Sequence, residues 1–172
     1  MSASDYSDIH YIDTCYTEII GGKRLPKDHP LLECLGTLDE LNAFLGDAKT
    51  IMGDTSSVEI VDTIQKNLFT LMGIIAGMPA LAEGINNEYI VNIINKLELE
   101  LPPLASFAVP GVNHSSAKLH IARTVCRRAE RRIISLGLDA EIQKVIVPYI
   151  NHLSELLFLL ARNEEWNIGK ES

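Results

Sequence analysis

Helical spacing of apolar residues runs through most of the chain, and it limits the possible folds more than any other sequence feature. Leucines at positions 31, 35, 38, 41 and 45 keep three- and four-residue intervals. A second series runs from Val61 to Ile75, after a Ser56-Ser57 start signal. Three further series follow, at about Asn87 to Glu98, Ser115 to Ile133 and about Ala140 to Asn163. Four or five helices with short connections predict an all-α bundle.

Helix breakers place the ends of these segments. Pro102 and Pro103 stop the third helix, and Leu136-Gly137 is a C-cap signal for the fourth. Pro148 predicts a kink or a boundary in the last segment. Nothing before Gly22 has a strong helical pattern. We therefore expect one helical-bundle domain over residues 1–172, with a non-helical N-terminal segment of about residues 1–28.

Length, composition and charge narrow the function classes. A chain of 172 residues is most often one domain, and 47% hydrophobic with 22% charged residues is typical of a folded protein. The net charge of −8 argues against a general nucleic-acid binder. No signal peptide and no apolar stretch near the length of a membrane span is evident, so we expect a cytoplasmic protein without a membrane partner. Three widely separated cysteines predict reduced thiols rather than disulfides.

Common catalytic motifs are missing from the sequence. There is no dinucleotide-binding G-x-G-x-x-G, no Walker-type loop, no H-E-x-x-H and no G-x-S-x-G. A di-iron centre in a bundle would need Glu-x-x-His pairs, and none of the five histidines has a glutamate three residues before it. We therefore expect no protein-built metal site, and solvated or hydrogen-bonded histidines.

Arginine is concentrated in one short segment. Five of the seven arginines lie within ten residues, at positions 123, 127, 128, 131 and 132. On a helix, Arg123, Arg127 and Arg131 share one face, and no acid is interleaved among them on that face, so they repel one another unless an anion or partner carboxylates face them. The alternative is a solvated face whose arginines pair with Asp and Glu elsewhere in the chain.

Two other segments carry polar residues within apolar helices. In GTLDELNAFLG, residues 36–46, Thr37 and Glu40 fit a capping box, which leaves Asp39 as a candidate partner for an arginine on another helix or another subunit. In YINHLSELLFLLARNEE, residues 149–165, Asn151 has an amide that both donates and accepts hydrogen bonds.

These segments together resemble one known family. The stretch GGKRLPKDHP at 21–30, the segment GTLDELNAFLG, the stretch FAVPG with AKLHIARTVCRRAERR between 107 and 132, and YINHLSELLFLLAR at 149–162 resemble the PduO-type ATP:corrinoid adenosyltransferases. The resemblance implies a five-helix bundle that forms a homotrimer with active sites between subunits. It also implies transfer of the 5'-deoxyadenosyl group of Mg-ATP to Co(I) of a corrinoid such as cobalamin, with release of triphosphate. A flavoprotein reductase would be a partner that supplies Co(I).

The resemblance also assigns roles to residues of this chain. Its nucleotide site maps to Thr17, Lys27, Arg127, Arg128, Glu130, Arg131 and Asn151. Asp39 and Arg123 match a salt-bridging pair that joins neighbouring subunits beside the corrinoid. Phe107 matches the aromatic residue that fills the lower axial face of cobalt. Arg127, Asp39 and Arg123 are the residues implied for catalysis.

The chain departs from that family in its N-terminal loop. Ile12 and Cys15 stand where the family has loop glycines, and His10 stands where it has a lysine. Glycines allow a positive φ and close approach of the backbone to phosphate, which isoleucine does not. This departure predicts weakened ATP binding. It keeps open two alternatives, a non-catalytic corrinoid- or nucleotide-binding paralogue and an unrelated helical interaction module.

Overall fold

The structure is a computed structural model that describes residues 14–104 and 107–171, with side chains up to residue 167. A two-stranded hairpin comes first, with β1 (Tyr16–Glu18) antiparallel to β2 (Arg24–Pro26). Five helices follow: α1 (Pro30–Lys49), α2 (Thr55–Ile75), α3 (Asn87–Glu100), α4 (His114–Ser135) and α5 (Ala140–Glu171). A 3-10 helix, Pro79–Gly84, links α2 to α3. The predicted all-α five-helix bundle is confirmed, and the hairpin and the 3-10 helix are additions to it.

Local signals fix where the helices begin. The ring nitrogen Nδ1 of His29 accepts the backbone N–H of Leu31 at 3.1 Å, and Pro30 occupies the first turn of α1, where its missing N–H costs nothing. The Thr37 capping box was therefore a wrong prediction, because α1 has already begun two turns earlier. Within α1, Thr37 Oγ1 donates to the Glu33 carbonyl at 2.7 Å.

Asp54 begins α2. Its carboxylate accepts the backbone N–H groups of Ser56 at 3.2 Å and of Ser57 at 3.1 Å, and both serine hydroxyls also donate to it at 2.7 Å. Partial burial opposes the charged form, but these four hydrogen bonds outweigh it and lower the pKa of Asp54. The cap is therefore an ionised carboxylate at neutral pH.

The ends of the later helices agree only in part with the helix-breaking residues of the sequence. After α4 the chain turns at Leu136 and at Gly137, whose φ of 60° lies in the left-handed region, as the sequence predicts. Pro148 lies inside α5 and does not end it, so the two segments around it form one helix of 32 residues.

All five helices contribute residues to the core. Helix α4 packs against both α1 and α5, α3 packs against α5, and α2 packs against α1. The apolar positions that predicted the helices fill this core, including Leu38, Leu41, Ile64, Leu119 and Leu157, all fully buried. Close approach at Gly73 lets the 3-10 helix sit on α2, since a Cβ there would lie 2.7 Å from a Leu81 methyl group.

One expectation from the sequence needs correction. Helix α5 is long and apolar enough, over Ala140–Asn167, to pass a length-and-composition test for a membrane span. Within that segment, 56% of the 18-residue window that passes the test is buried inside the bundle, and Leu153, Leu156 and Leu160 are fully buried. A core helix passes the same test, and α5 is packed as a core helix.

Candidate functional site

The arginines of α4 divide into two groups with different surroundings. Arg128 forms an ion pair with Glu40, and Arg132 Nη1 lies 2.6 Å from Glu33 Oε1. Both glutamates belong to α1, which runs antiparallel to α4. For these two arginines the alternative interpretation, pairing with acids elsewhere in the chain, describes the structure. It places Arg128, which the resemblance assigns to the nucleotide site, in an ion pair within its own chain.

The other three form what we call the unpaired arginine face: Arg123, Arg127 and Arg131. Arg127 and Arg131 are exposed, and neither has an ion pair or a side-chain hydrogen bond with any described residue. Arg123 is half-buried, and its Nε is buried without a partner. Successive guanidinium groups on one face repel each other, so this face favours a multiply charged anion.

An amide and a carboxylate lie beside this face. Asn151 Nδ2, on α5, donates to Glu130 Oε1, on α4, at 3.2 Å. Glu130 lies between Arg127 and Arg131 in the chain, so the contact brings the predicted asparagine next to the predicted arginines. The Asn151 side chain is exposed, and its carbonyl oxygen has no partner among the described residues. That oxygen is available to accept a hydrogen bond from a ligand.

The hairpin contributes at the same end of the bundle. It leads directly into α1, and Glu33 in the first turn of α1 contacts Arg132 in the last turn of α4. The Lys27 backbone N–H donates to the Cys15 carbonyl at 2.8 Å, and the Lys27 side chain is exposed. Thr17 is half-buried in β1 opposite Leu25. Lys27 thus lies three residues before Pro30, at the end of α1 that contacts the C-terminal turn of α4.

Only part of the N-terminal loop that departs from the family lies within the described residues. His10 and Ile12 lie outside the described residues. Cys15 is exposed, and its φ is negative, since every positive φ in the described residues belongs to a glycine. At position 15, then, the backbone has the conformation of an ordinary residue, not one that requires glycine.

Apolar side chains are exposed on the loop between α3 and α4. Phe107 is 98% exposed, Val109 is 77% exposed and Val112 is 68% exposed. Next to this loop lies a mostly apolar pocket of about 280 Å³, whose wall includes Pro110, Gly111, His120, Ile121, Arg123 and Thr124. Arg123, the first residue of the unpaired arginine face along the chain, therefore borders an apolar pocket.

Asp39 and Arg123 do not pair within the chain. Asp39 is exposed on α1 and has no ion pair with any described residue. Asp39 lies next to Glu40, which Arg128 holds. Both members of the predicted salt bridge are thus without an intramolecular partner in the part of the chain that the structure describes.

Sequence reasoning missed the state of His120. It predicted a solvated or hydrogen-bonded ring, but His120 is 3% exposed and both of its nitrogens lack hydrogen bonds. Nε2 lies 3.8 Å from the equally unpartnered Oε1 of Glu165. Burial and the nearby Arg123 charge lower the pKa of His120, with Glu165 acting in the opposite direction. The available signal was the three-residue spacing from His120 to Arg123, which puts both on one side of α4.

These features define a class of protein: a helical bundle that offers a cationic helix face to an anionic ligand, with an apolar, aromatic-bearing loop beside it. The chain belongs to the cobalamin adenosyltransferase family, whose sequence profile matches residues 12–164.

Similar proteins support this assignment. The corrinoid adenosyltransferase PduO of Salmonella typhimurium is 36% identical over 160 residues, which cover 89% of this chain and 48% of that protein. A corrinoid adenosyltransferase of Citrobacter freundii is also 36% identical, over 89% of this chain and 91% of its own length. A variant of the PduO-type ATP:corrinoid adenosyltransferase from Lactobacillus reuteri, complexed with cobalamin and ATP, superposes with a TM-score of 0.80 at 28% identity, covering 91% of this chain and 92% of that chain.

The chain spans about half the length of the two PduO proteins that it matches, 48% in each case.

Proposed function

We propose that this chain transfers the 5'-deoxyadenosyl group of ATP to the cobalt of a reduced corrinoid. The observation that carries the proposal is the unpaired arginine face. In a chain with a net charge of −8, three guanidinium groups on one side of α4 have no ion pair with any acid that the structure describes, whereas the two neighbouring arginines do. The relatives named as corrinoid adenosyltransferases, and the similar structure complexed with cobalamin and ATP, support this choice of anion and second substrate.

The reaction is a displacement at carbon. Co(I) supplies the electron pair that forms the Co–C5' bond, the C5'–O bond of ATP breaks, and triphosphate leaves with that bond's electrons. The corrinoid is the nucleophile, so the protein has to orient two substrates and stabilise the leaving group. Arg127 and Arg131, joined by Lys27 from the hairpin, would hold the triphosphate. Asn151, positioned by Glu130, would hydrogen-bond the nucleoside, and Thr17 would contact the same nucleotide from β1.

Mg²⁺ would come with the triphosphate. In the described part of the chain no three His, Cys, Asp or Glu side chains come together as a metal site. Mg²⁺ is commonly held by substrate phosphates and water with few protein ligands. A site without a cluster of protein ligands therefore fits a metal that is bound through ATP.

The corrinoid would lie against the loop between α3 and α4. Phe107 presents a large apolar ring to solvent, which is costly unless a ligand or a subunit covers it. Placed beneath cobalt, this ring would exclude a lower axial ligand and leave Co(II) four-coordinate and easier to reduce. Asp39 of one subunit and Arg123 of the next would complete the site, in the homotrimer that the resemblance implies. A flavoprotein reductase as electron donor and a cytoplasmic location stay predictions.

The experiment that tests the proposal uses chemically reduced cobalamin and Mg-ATP with the purified chain. We expect the light-sensitive spectrum of the Co–C product to appear, together with one triphosphate per product. Corrinoid and ATP binding without that product would contradict the proposed reaction.

A second function is favoured by the altered loop. Cys15 has an ordinary negative φ at a position where the resemblance predicts a phosphate-wrapping glycine. A paralogue that binds corrinoid without turnover would result if ATP no longer bound. Calorimetry with Mg-ATP, with and without cobalamin, separates the two functions. We expect measurable, salt-sensitive ATP binding that Ile12→Gly with Cys15→Gly improves or leaves unchanged. Corrinoid binding with no ATP binding in either condition would select the paralogue.

A further inference from the structure

Both ends of the loop that carries Phe107 form hydrogen bonds with one helix, α5. Before the loop, the Pro102 carbonyl accepts a hydrogen bond from Nη2 of Arg162 on α5. After it, Asn113 Nδ2 donates to the Glu164 carbonyl, also on α5, at 3.1 Å. The two anchors are two residues apart on α5, whereas their partners are eleven positions apart along the loop. A short piece of α5 therefore sets the span of the loop between α3 and α4.

A buried side-chain contact between the same two helices accompanies the second anchor. Glu164 is 5% exposed, and its Oε2 accepts the hydroxyl of Ser115 at 2.7 Å. Asn113 Oδ1 accepts the backbone N–H of Ser116 at 2.8 Å, so Asn113 caps α4 while it also contacts α5. The first turn of α4 and the end of the loop are thus held together on Glu164.

The arrangement is a costly way to join two helices. Glu164 Oε1 is buried and has no hydrogen-bond partner among the described residues. A buried carboxylate loses most of its hydration, and an apolar pair of similar volume would join the helices at lower cost. What an apolar pair would lack is the directional hydrogen bond from Ser115 to the Glu164 side chain, whereas the bond from Asn113 goes to the Glu164 backbone carbonyl and would remain.

We propose that Glu164, with Arg162, is a positioning residue for the corrinoid site, fixing the loop that presents Phe107. Neither side chain need touch the corrinoid. Each acts through the loop, which also supplies Pro110 and Gly111 to the pocket beside Arg123. The inference rests on the proposed function, because it assumes that Phe107 faces the cobalt.

The test compares Glu164→Leu, which removes the carboxylate, with Glu164→Gln, which keeps an acceptor for Ser115. The matched control is Glu98→Leu, the same exchange at an exposed position on α3. We expect Glu164→Leu to weaken cob(II)alamin binding roughly tenfold, as it would if the released loop held Phe107 in the binding position about a tenth of the time. It should also lower the four-coordinate Co(II) fraction in the electron paramagnetic resonance spectrum. Glu164→Gln and Glu98→Leu should resemble the parent chain in both measurements.

ATP binding separates positioning from general damage. The cap at Asn113 lies about four helical turns from Arg127, so Mg-ATP affinity without corrinoid should stay within about twofold in every variant. Equal losses for ATP and corrinoid would overturn the inference. If Glu164→Leu does not fold, Arg162→Met releases the other end of the loop and should shift the same two corrinoid measurements in the same direction.

Phe107→Ala distinguishes the failure of this inference from failure of the proposed function. If Phe107→Ala lowers the four-coordinate fraction while Glu164→Leu and Arg162→Met do not, the positioning role is wrong and the proposed function stands. If Phe107→Ala leaves that fraction unchanged, the corrinoid geometry of the proposed function is wrong, and the positioning role falls with it.

Discussion

At the residue scale, Arg127 and Arg128 show how neighbours in sequence acquire different surroundings. Successive residues on a helix point about 100° apart. That rotation turns Arg128 toward Glu40 on α1 and leaves Arg127 exposed. The arginine cluster, and the one face shared by Arg123, Arg127 and Arg131, could be predicted from spacing alone. Which arginines are neutralised could not, because Glu33 and Glu40 meet α4 only after the helices pack.

The two groups of arginines predict unequal effects on activity. Arg127→Ala should largely abolish turnover with helicity intact, because a guanidinium–phosphate contact contributes about 1.5–3 kcal/mol to binding. Arg132→Ala is the matched control. It removes a partly exposed ion pair with Glu33, worth at most about 1 kcal/mol. Steady-state kinetics and circular dichroism measure both variants. Similar losses of kcat/KM at the two positions would indicate a diffuse electrostatic role.

His120 predicts a pH effect on stability. Because burial and Arg123 lower the pKa of His120 in the folded chain, the unfolded chain binds more protons below about pH 6.5. Folding stability should therefore fall as the pH drops from about 7.5 to 5.5, and His120→Gln should reduce that slope. Denaturant titrations across this range measure it, with His114→Gln, an exposed histidine in the first turn of α4, as control. An unchanged slope in His120→Gln would show that His120 is not the titrating group.

At the element scale, the helices were predictable and the smaller elements were not. Three- and four-residue spacing located all five helices, since the same residues that make the pattern are buried in the core. Each hairpin strand has only three residues, too few for an alternating pattern. Thr37 failed as a cap because the His29-Pro30 start, two turns earlier, already begins the helix. Pro148 failed as a boundary because packing on both sides of it continues α5.

The start of α2 gives a test at this scale. Asp54→Ala should lower the free energy of unfolding by about 1 kcal/mol, since it leaves two backbone N–H groups of the first turn without acceptors. Because hydrogen bonding lowers the pKa of Asp54, the contribution of the cap should be full at neutral pH and lost as the pH falls below about 4. Glu59→Ala, an exposed acid on the same helix, is the control. Equal destabilisation by both changes would argue against a capping role.

At the scale of the whole molecule, a single chain leaves apolar surface and charges unpartnered. Phe69 is 62% exposed, Phe107 is 98% exposed and Ile134 is 51% exposed. Asp39 and Arg123 lack partners in the described chain. Exposed aromatic side chains with complementary unpaired charges are typical of an interface between copies of a chain.

A charge exchange tests the predicted trimer. Asp39→Arg and Arg123→Asp should each weaken assembly, because each places like charges opposite one another across the interface. The double variant should recover it if these two residues pair between subunits. Light scattering at micromolar concentration gives the mass of each. A monomeric parent chain, or a double variant no better than the single ones, would contradict the predicted pairing.

The ion pairs between α1 and α4 have one more consequence. They limit the sequence changes that α4 can accept while the protein keeps its activity. The buried residues of α4 set its rotation about its own axis, and that rotation brings Arg132 and Arg128 to Glu33 and Glu40. One residue inserted between Asn113 and Arg123 would keep every letter of the arginine segment but turn it by about 100°. Arg127 and Arg131 would then take the places that face α1, and Arg128 and Arg132 would take the buried places of Ala129 and Ile133. Substitutions in the first half of α4 should therefore be tolerated far better than insertions or deletions of a single residue. The number of residues between Asn113 and Arg123 decides which way the arginines face, so it matters to the site as much as the identity of those residues.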